Sequence, residues 1–584
     1  MFGKNFRLNK KISINLAVFG IFLLLSYISI ALFMHEGKII LRSDGSFHLS
    51  RVEEIYQNLR DGHFFTFIAS RTFSHSGVGN FLFYPTVFLY PMAFLRFIFN
   101  PVTAFYLWVG FFNFLTMATA YYCMYRFTKG NTTRSFLFAL IYTFASYHLY
   151  LGLYNTVWGE FIAYTFLPLI FLGIYNILWD DTKYWYILAI GMALLLYSHL
   201  LSVYMSAMIC VGLFLAKFIF YKKVEFLRIK ALIKAGILTF FLSSFIFVPI
   251  VTDLIGGGLA TPRRCFLWVS TIFTTFQLSL ENTAATNHAI GLILILTAFL
   301  GWIIANKSSR ELAIYALGVF MLCLTTSLIP WDLIQKTPLY PLLGTIQFPY
   351  RFNSYACLFL AVTASLIFES IVRLGKSQYT ANILTVIASL ALLCCYASIV
   401  APQHASIIAA KDSSLSKNTA SPVTIPSDVL LDKGNYKNIF TYLIMYGETD
   451  YYPKQSFDHN DISSNKNTQS IVKQTVYSKN KPFTGVTTIS YAANSITYKL
   501  VSKKKQTLDL PTIRYRRTVA TINGKSAVVS SSARGTVSLP VPKGHSTITV
   551  SYRPNLLYYT GLIAALISWL SIPAYLFYQK KKSA

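Results

Sequence analysis

Phe81-Leu82-Phe83-Tyr84-Pro85-Thr86-Val87-Phe88-Leu89-Tyr90-Pro91-Met92-Ala93-Phe94-Leu95-Arg96-Phe97-Ile98-Phe99 is apolar enough to cross a bilayer, and whether it crosses sets the side of every later loop. Twelve other stretches read as spans: 12–34, 102–125, 135–151, 160–179, 184–200, 202–221, 231–251, 288–305, 311–329, 351–372, 380–400 and 556–577. If 81–99 stays out of the hydrocarbon, the basic clusters all fall on the side of the amino terminus. These are Arg126/Lys129/Arg134, Lys222/Lys223/Arg228/Lys230/Lys234, Lys307/Arg310, Arg373/Lys376 and Lys580/Lys581/Lys582. If it crosses, all of them move to the other side while the basic amino terminus stays in. The positive-inside rule therefore keeps it out. Pro85 and Pro91 interrupt the stretch and Arg96 lies within it, so short interfacial or re-entrant helices are expected there.

The composition agrees with a polytopic membrane protein: 54% of the 584 residues are hydrophobic and 12% are charged. Stretches of about 20 apolar residues match a hydrocarbon core of roughly 30 Å. The net charge of +29 does not read as a nucleic-acid signal, because much of it lies in short loops where it sets orientation. Another twenty Lys/Arg, against eight Asp/Glu, lie in one polar block, 402–554. Such a basic surface suits anionic headgroups or wall polymers, or is simply solvated. None of the seven cysteines is in that block, and none has metal-site spacing, which fits export without disulfides. The segment 12–34 follows Lys4, Arg7, Lys10 and Lys11 like a signal peptide, but is too long and lacks a cleavage site, so an uncleaved helix is expected.

The expected architecture is an α-helical membrane domain, 1–401, with a large first outer loop, 35–101. An extracytoplasmic lead-in, 402–464, precedes a β-sandwich, 465–554, and 555–584 holds the last span and a basic cytoplasmic tail. The sandwich is read from period-two stretches such as Thr487-Thr488-Ile489-Ser490-Tyr491, separated by turns such as Asn523-Gly524-Lys525. Within the first loop an amphipathic helix is expected near 46–61, with Val52, Ile55, Tyr56 and Leu59 as its stripe.

This topology gathers chemistry on one face. The first loop brings Asp44, His48, Arg51, Glu53, Glu54 and Arg71, and the loop at Trp158-Gly159 brings Glu160. Later loops add Arg263, Arg264 and Arg351. Asp44 and Glu160 suit general-base work on a hydroxyl, or a divalent cation. Asp44 equally suits a helix cap. His48, on the helix stripe, reads as packed or as catalytic. Arg351 suits a phosphate or headgroup anchoring. Arg263 and Arg264 form a basic pair that is phosphate-binding or simply solvated. His199 reads as a buried structural histidine or a relay.

With these residues in place, the chain resembles the GT-C-type membrane glycosyltransferases over roughly 1–400. The resemblance rests on Asp44-Gly45-Ser46-Phe47-His48 after the first helix and on Trp158-Gly159-Glu160. More narrowly, Phe83-Tyr84-Pro85, Gly159-Glu160, Leu167-Pro168 and Gln347-Phe348-Pro349-Tyr350-Arg351-Phe352 resemble bacterial membrane proteins labelled pyruvoyl-tetrahydropterin-synthase-related. The zinc-histidine pattern of the cytosolic synthase is not visible. The β-domain resembles the outer domain of bacterial membrane proteins implicated in lipoteichoic-acid glycosylation.

The resemblance implies inverting transfer from a polyprenyl-phosphate-linked sugar to an envelope glycan or glycolipid in the bacterial plasma membrane, among membrane lipids and without nucleic acid. Asp44 would be the base, with Glu160 its partner and His48 a further catalytic candidate. Arg351 would bind the lipid phosphate, with Arg71, Arg263, Arg264 and Tyr84 as further substrate contacts. A single Asp followed by Gly, in place of an acidic pair, leaves a divalent cation as a possibility only. The rival readings are a lipid-linked glycan flippase and a non-catalytic assembly protein.

The topology has a direct check. A cysteine placed at 411 is expected to react with an impermeant thiol reagent in intact cells. Reaction only after permeabilisation would overturn the assignment of sides.

Overall fold

The computed structural model describes residues 10–221, 225–255, 257–260, 264–410, 415–420, 423–457 and 465–583. Among them seven helices are long and apolar enough to cross a bilayer: Ile14–Glu36, Pro101–Phe127, Trp158–Trp179, Leu200–Phe220, Pro349–Val372, Gln378–Ala409 and Leu556–Gln579. Two bent helix pairs are together apolar and long enough, as broken spans or re-entrant segments: Thr132–Thr143 with Ser146–Tyr154 at 48° and Phe226–Leu242 with Ser244–Leu254 at 75°. Three expected spans are shorter than composition suggested. The stretch 184–200 holds the 11-residue helix Tyr186–Leu196, and 311–329 holds the 16-residue helix Ser309–Leu324. The stretch 288–305 divides at Gly301 into Leu292–Leu300 and Trp302–Ala305. Hydropathy reports apolar content, whereas backbone breaks depend on local partners. At the sharper bend Ser243 Oγ donates to Thr239 O at 2.6 Å and Ser244 Oγ to Gly561 O at 2.6 Å, so hydroxyls occupy carbonyls at the break.

The stretch 81–99 forms no span. It contributes to three short helical pieces, Asn80–Phe83, Val87–Leu89 and Tyr90–Leu95. The last of them packs on the amphipathic helix Gly45–Arg60, whose buried face includes Phe47, Val52 and Ile55. Arg96 is paired instead of facing lipid: Nη1 donates to Glu53 Oε2 at 2.7 Å and to Tyr436 Oη at 3.1 Å. The indole of Trp108, in the second span, reaches Phe88 O at 2.8 Å and ties these pieces to the bundle.

Several of the basic loops meet at one end of the bundle. Arg134 donates to both oxygens of Glu311, at 3.0 and 2.8 Å, and Asn131 donates to Glu369 at 2.5 Å. Arg228 caps the far end of Trp158–Trp179 through Ile177 O at 2.8 Å. Glu160, in the first turn of that helix, therefore lies at the opposite end.

The polar region closes back on this opposite end. Lys38–Leu41, just after the first span, pairs antiparallel with Val429–Asp432 in the register Lys38↔Asp432 to Leu41↔Val429. Beyond it stand two five-stranded antiparallel sheets. One contains Gln506–Ile513 and Thr536–Val541; the other contains Val486–Ala492, Ser495–Ser502, Thr518–Ile522 and Gly544–Tyr552. Alternate residues, among them Ile496, Tyr498, Leu508, Leu510, Val537, Leu539, Ile548 and Val550, form a buried core shared by the sheets, as the period-two pattern requires.

The Arg134–Glu311 pair is buried and bidentate. Arg310 Nη2 also donates to Glu311 Oε1 at 3.0 Å, so it is loss of Glu311 that strands a buried charge, on Arg134, which typically costs about 3–5 kcal/mol. Glu311→Ala is expected to lower unfolding stability in detergent by that order, and adding Arg134→Ala to recover part of the loss. Equal stability of wild type and Glu311→Ala would refute the role assigned to this pair.

Candidate functional site

Asp44 lies between the strand Lys38–Leu41 and the helix Gly45–Arg60, in a connection held from three sides. Arg42 donates to Asp428 Oδ1 at 2.5 Å and Gln403 Oε1 at 2.9 Å, and its guanidinium lies 3.9 Å from the centroid of the Tyr154 ring. Thr156 Oγ1 donates to Arg42 O at 2.6 Å. Gly45 is needed for this approach, because a Cβ there would meet Thr156 Oγ1 at 2.6 Å. Asp44 stands at the helix N-cap position, yet its side chain makes no capping hydrogen bond. The capping alternative is therefore excluded. Burial pushes its carboxyl above the usual Asp range, while Arg351 and the Ser43 side chain pull it back down.

Glu160 is fixed more tightly. Tyr147 Oη and Ser354 Oγ donate to Oε1 at 3.0 and 2.8 Å, and Arg351 Nε lies 3.8 Å from Oε2. Arg351 arrives on the turn Pro349–Phe352, which opens the helix Asn353–Val372. Its Nη1 donates to Ile346 O at 2.7 Å and Gln347 Oε1 at 3.3 Å, and the guanidinium lies 4.6 Å from the Phe348 ring centroid. Nη2 has no hydrogen-bond partner among the described residues. One guanidinium thus contacts Glu160 and acts electrostatically on Asp44.

Tyr84 stands between these groups: Asp44 and Glu160 act on its phenol, as do Arg51 and Arg351, and burial raises its pKa. Arg51 holds the backbone behind it, donating Nη2 to Tyr84 O at 2.9 Å and Pro85 O at 2.7 Å. A Cβ on Gly159 would fall 2.2 Å from Tyr84 Oη and 3.0 Å from His199 Cδ2, so the Gly before Glu160 is what admits both rings. His199 Nδ1 is hydrogen-bonded with Ser202 Oγ at 2.8 Å. His48 is buried and packs parallel to Trp158, ring centroids 5.3 Å apart, and neither ring nitrogen has a partner among the described residues. Burial, Arg51 and His199 hold its pKa well below the usual range, so it is neutral. Asp44, Tyr84 and Arg351 keep partial solvent access, while His48 and Glu160 are buried. The partly accessible members of the site are therefore an acid, a phenol and a guanidinium.

Five sequence candidates converge here: Asp44, His48, Tyr84, Glu160 and Arg351. Arg71 does not. It pairs with Asp61 just beyond the other end of the helix Gly45–Arg60, about 24 Å along its axis from Asp44. Nearness in sequence had placed it in the same loop, but the helix carries it away. Arg264 is exposed, and among the described residues its side chain makes no hydrogen bond or ion pair with Asp44, Glu160 or Arg351. Arg263 lies outside the described residues. Tyr147, Ser354 and Tyr451 were not foreseen. Tyr451, from the polar region, feels Asp44, Tyr84 and Arg51, and its carbonyl accepts from Tyr515 Oη at 2.8 Å. Tyr515 Oη in turn accepts from Gly79 N at 2.8 Å.

Among the described residues no three His, Cys, Asp or Glu side chains converge to hold a metal ion. The positive charge facing Glu160 is Arg351.

Residues 81–402 match the model of a family described as a 6-pyruvoyl-tetrahydropterin synthase related domain, a membrane protein. The chain belongs to this family. The matched part of this synthase-related membrane protein includes Tyr84, Glu160, His199 and Arg351, and leaves out Asp44 and the β-domain. Among solved structures, the crystal structure of ArnT from Cupriavidus metallidurans bound to undecaprenyl phosphate is similar over 74% of this chain and 85% of that one, at 9% identity and a TM-score of 0.42. No curated protein matches the chain.

The Gly159–Tyr84 contact yields a test. Gly159→Ala overpacks the site and is expected to cost about 1–3 kcal/mol. Tyr84→Phe in the same chain, which removes the obstructing oxygen, is expected to restore part of that stability. Thermal unfolding of the single and double variants checks both.

Proposed function

We propose that the protein is a glycosyltransferase of the GT-C type, moving a sugar from a polyprenyl-phosphate donor to an acceptor hydroxyl of an envelope glycan or glycolipid. The reading sets the site at the outer face of a bacterial plasma membrane, with both termini in the cytoplasm. One observation carries it: Asp44, a partly exposed residue whose carboxyl group makes no capping bond, feels the guanidinium of Arg351, itself partly exposed, at one site.

In this reaction Asp44 accepts the proton of the acceptor hydroxyl as its oxygen bonds to C1 of the sugar. The bond between C1 and the phosphate oxygen breaks, and its electron pair leaves with the lipid phosphate. Arg351 Nη2 is suited to that developing charge. Attack opposite the leaving group inverts C1. Glu160, bonded to Tyr147 and Ser354, positions Arg351. His48, on the helix that starts at Asp44, is neutral and packs against Trp158, which fixes the first turn of that helix.

Two measurements test this. Asp44→Asn is expected to reduce transfer by roughly 100- to 10,000-fold, the usual contribution of a general base, while the protein stays folded. Wall and membrane glycans from cells with wild-type or Asp44→Asn protein provide the readout, and unchanged glycans would eliminate the mechanism. The pH profile provides the second. A base whose pKa is raised by burial loses activity as pH falls through a value above that of an ordinary Asp. Arg351 lowers that pKa, so Arg351→Gln should move the acid limb to higher pH as well as weaken donor binding. An unmoved limb would separate Arg351 from Asp44.

A further inference from the structure

The β-domain carries a charge distribution that sugar transfer at Asp44 leaves unused. From 477 to 553 there are thirteen Lys/Arg and one acid, Asp509. That acid is spent internally: Arg534 donates Nε to Oδ2 at 2.9 Å and Nη2 to Oδ1 at 3.1 Å, and Thr536 Oγ1 also bonds it.

Strand register sorts ten of the other twelve cations into two ends, leaving Lys499 in mid-strand opposite Thr547 and Lys525 beside Ile522. The strand Ser495–Ser502 begins at Asn494, whose side chain accepts from Phe67 N at 2.6 Å and donates to Phe65 O at 2.7 Å. That end rests on the first loop, and Tyr552 there leads into the last span. Arg514, Arg516, Arg517 and Arg553 lie at this end, where Arg516 Nη1 donates to Thr252 O at 3.0 Å. At the far end Ser502 pairs with Gly544 and Gln506 with Val541. Lys503, Lys504 and Lys505 therefore turn beside Lys543. The hairpin carrying Lys479 and Lys481 closes beside them, with Ser478 Oγ bonded to Gln506 Oε1 at 2.8 Å. All six lysines are exposed.

We infer that this far end of the sandwich docks a flexible polyanionic chain, a polymer repeating phosphate or carboxylate groups. Eight strand residues at about 3.3 Å each put the lysines roughly 25 Å beyond the end that rests on the membrane domain. The Debye length near physiological salt is about 8 Å, so headgroups of the protein's own membrane are screened from them. Lysines are mobile point charges with no fixed fork, suited to a variable polymer backbone. Displacing condensed counterions from such a polymer supplies the driving force. The inference rests on the transferase reading only in making this polymer the acceptor; binding itself does not involve Asp44.

The test uses full-length protein in nanodiscs of uncharged lipid, with long-chain inorganic polyphosphate as probe. Changing Lys479, Lys481, Lys503, Lys504, Lys505 and Lys543 to Gln is expected to weaken binding by roughly tenfold or more at moderate salt and to flatten its salt dependence. Arg516→Gln with Arg517→Gln should leave binding near wild type. Asp44→Asn should bind as wild type does, which separates this inference from the catalytic one. Unchanged binding in the six-lysine variant would overturn the proposal, as would an equal loss in the arginine control. Competition by nanodiscs of anionic lipid, or by duplex DNA, as effective as by polyphosphate would show a different partner and also overturn it.

Discussion

The Arg351 guanidinium beside Glu160 is the contact on which the geometry of this end of the protein depends. Both groups are largely withdrawn from water, and an unpaired charge there would cost several kcal/mol. The pair is loose, 3.8 Å from Nε to Oε2, because each partner has other obligations. Glu160 is held by Tyr147 and Ser354, and Arg351 by Ile346 O and the face of Phe348. Three segments distant in sequence, the 147–160 turn, the Arg351 turn with the helix it opens, and the Asp44 loop, are coordinated through one cation.

Backbone strain accompanies each charged group. Ser43 has φ 42°, Thr156 φ 55° and Gln347 φ 63°, all left-handed and none a glycine. Ser43 directly precedes Asp44, while Thr156 and Gln347 lie about one helical turn before Glu160 and Arg351, and Thr156 is β-branched, where such a conformation is least favourable. Positions of this kind cost about 1–3 kcal/mol each and persist where surrounding contacts over-determine them. Here those contacts are visible: the Thr156 hydroxyl on Arg42 O, and the Arg351 guanidinium on Ile346 O and the Gln347 side chain.

The β-domain is part of this arrangement. The chain Gly79–Tyr515–Tyr451 runs by hydrogen bonds from the first loop through the domain to the edge of the site. Gly447 packs against Phe47, where a Cβ would come within 2.4 Å of the ring, so the polar region also presses on the helix that starts at Asp44. Glu448 next to it is buried, and burial raises its pKa to about 7; its carboxyl accepts from Ile444 N and Tyr452 Oη in the polar region and is hydrogen-bonded with the Ser74 side chain of the first loop.

Much was determined by the sequence alone, because hydropathy and charge bias are sums along the chain that need no partner. They identified a polytopic membrane protein with a separate β-domain, and kept 81–99 from spanning. Asp44, Glu160 and Arg351 stood out because charge near a bilayer is costly. Tertiary structure decided what each group does. Whether Asp44 caps its helix, whether Arg71 or Arg351 joins the site, and that Tyr147, Ser354 and Tyr451 complete it all depend on how helices and sheets pack. So do the short or bent spans, since a hydroxyl accepting a role at a break is invisible to composition. Local chemistry is written residue by residue, whereas convergence across spans exists only once buried charges have found their partners.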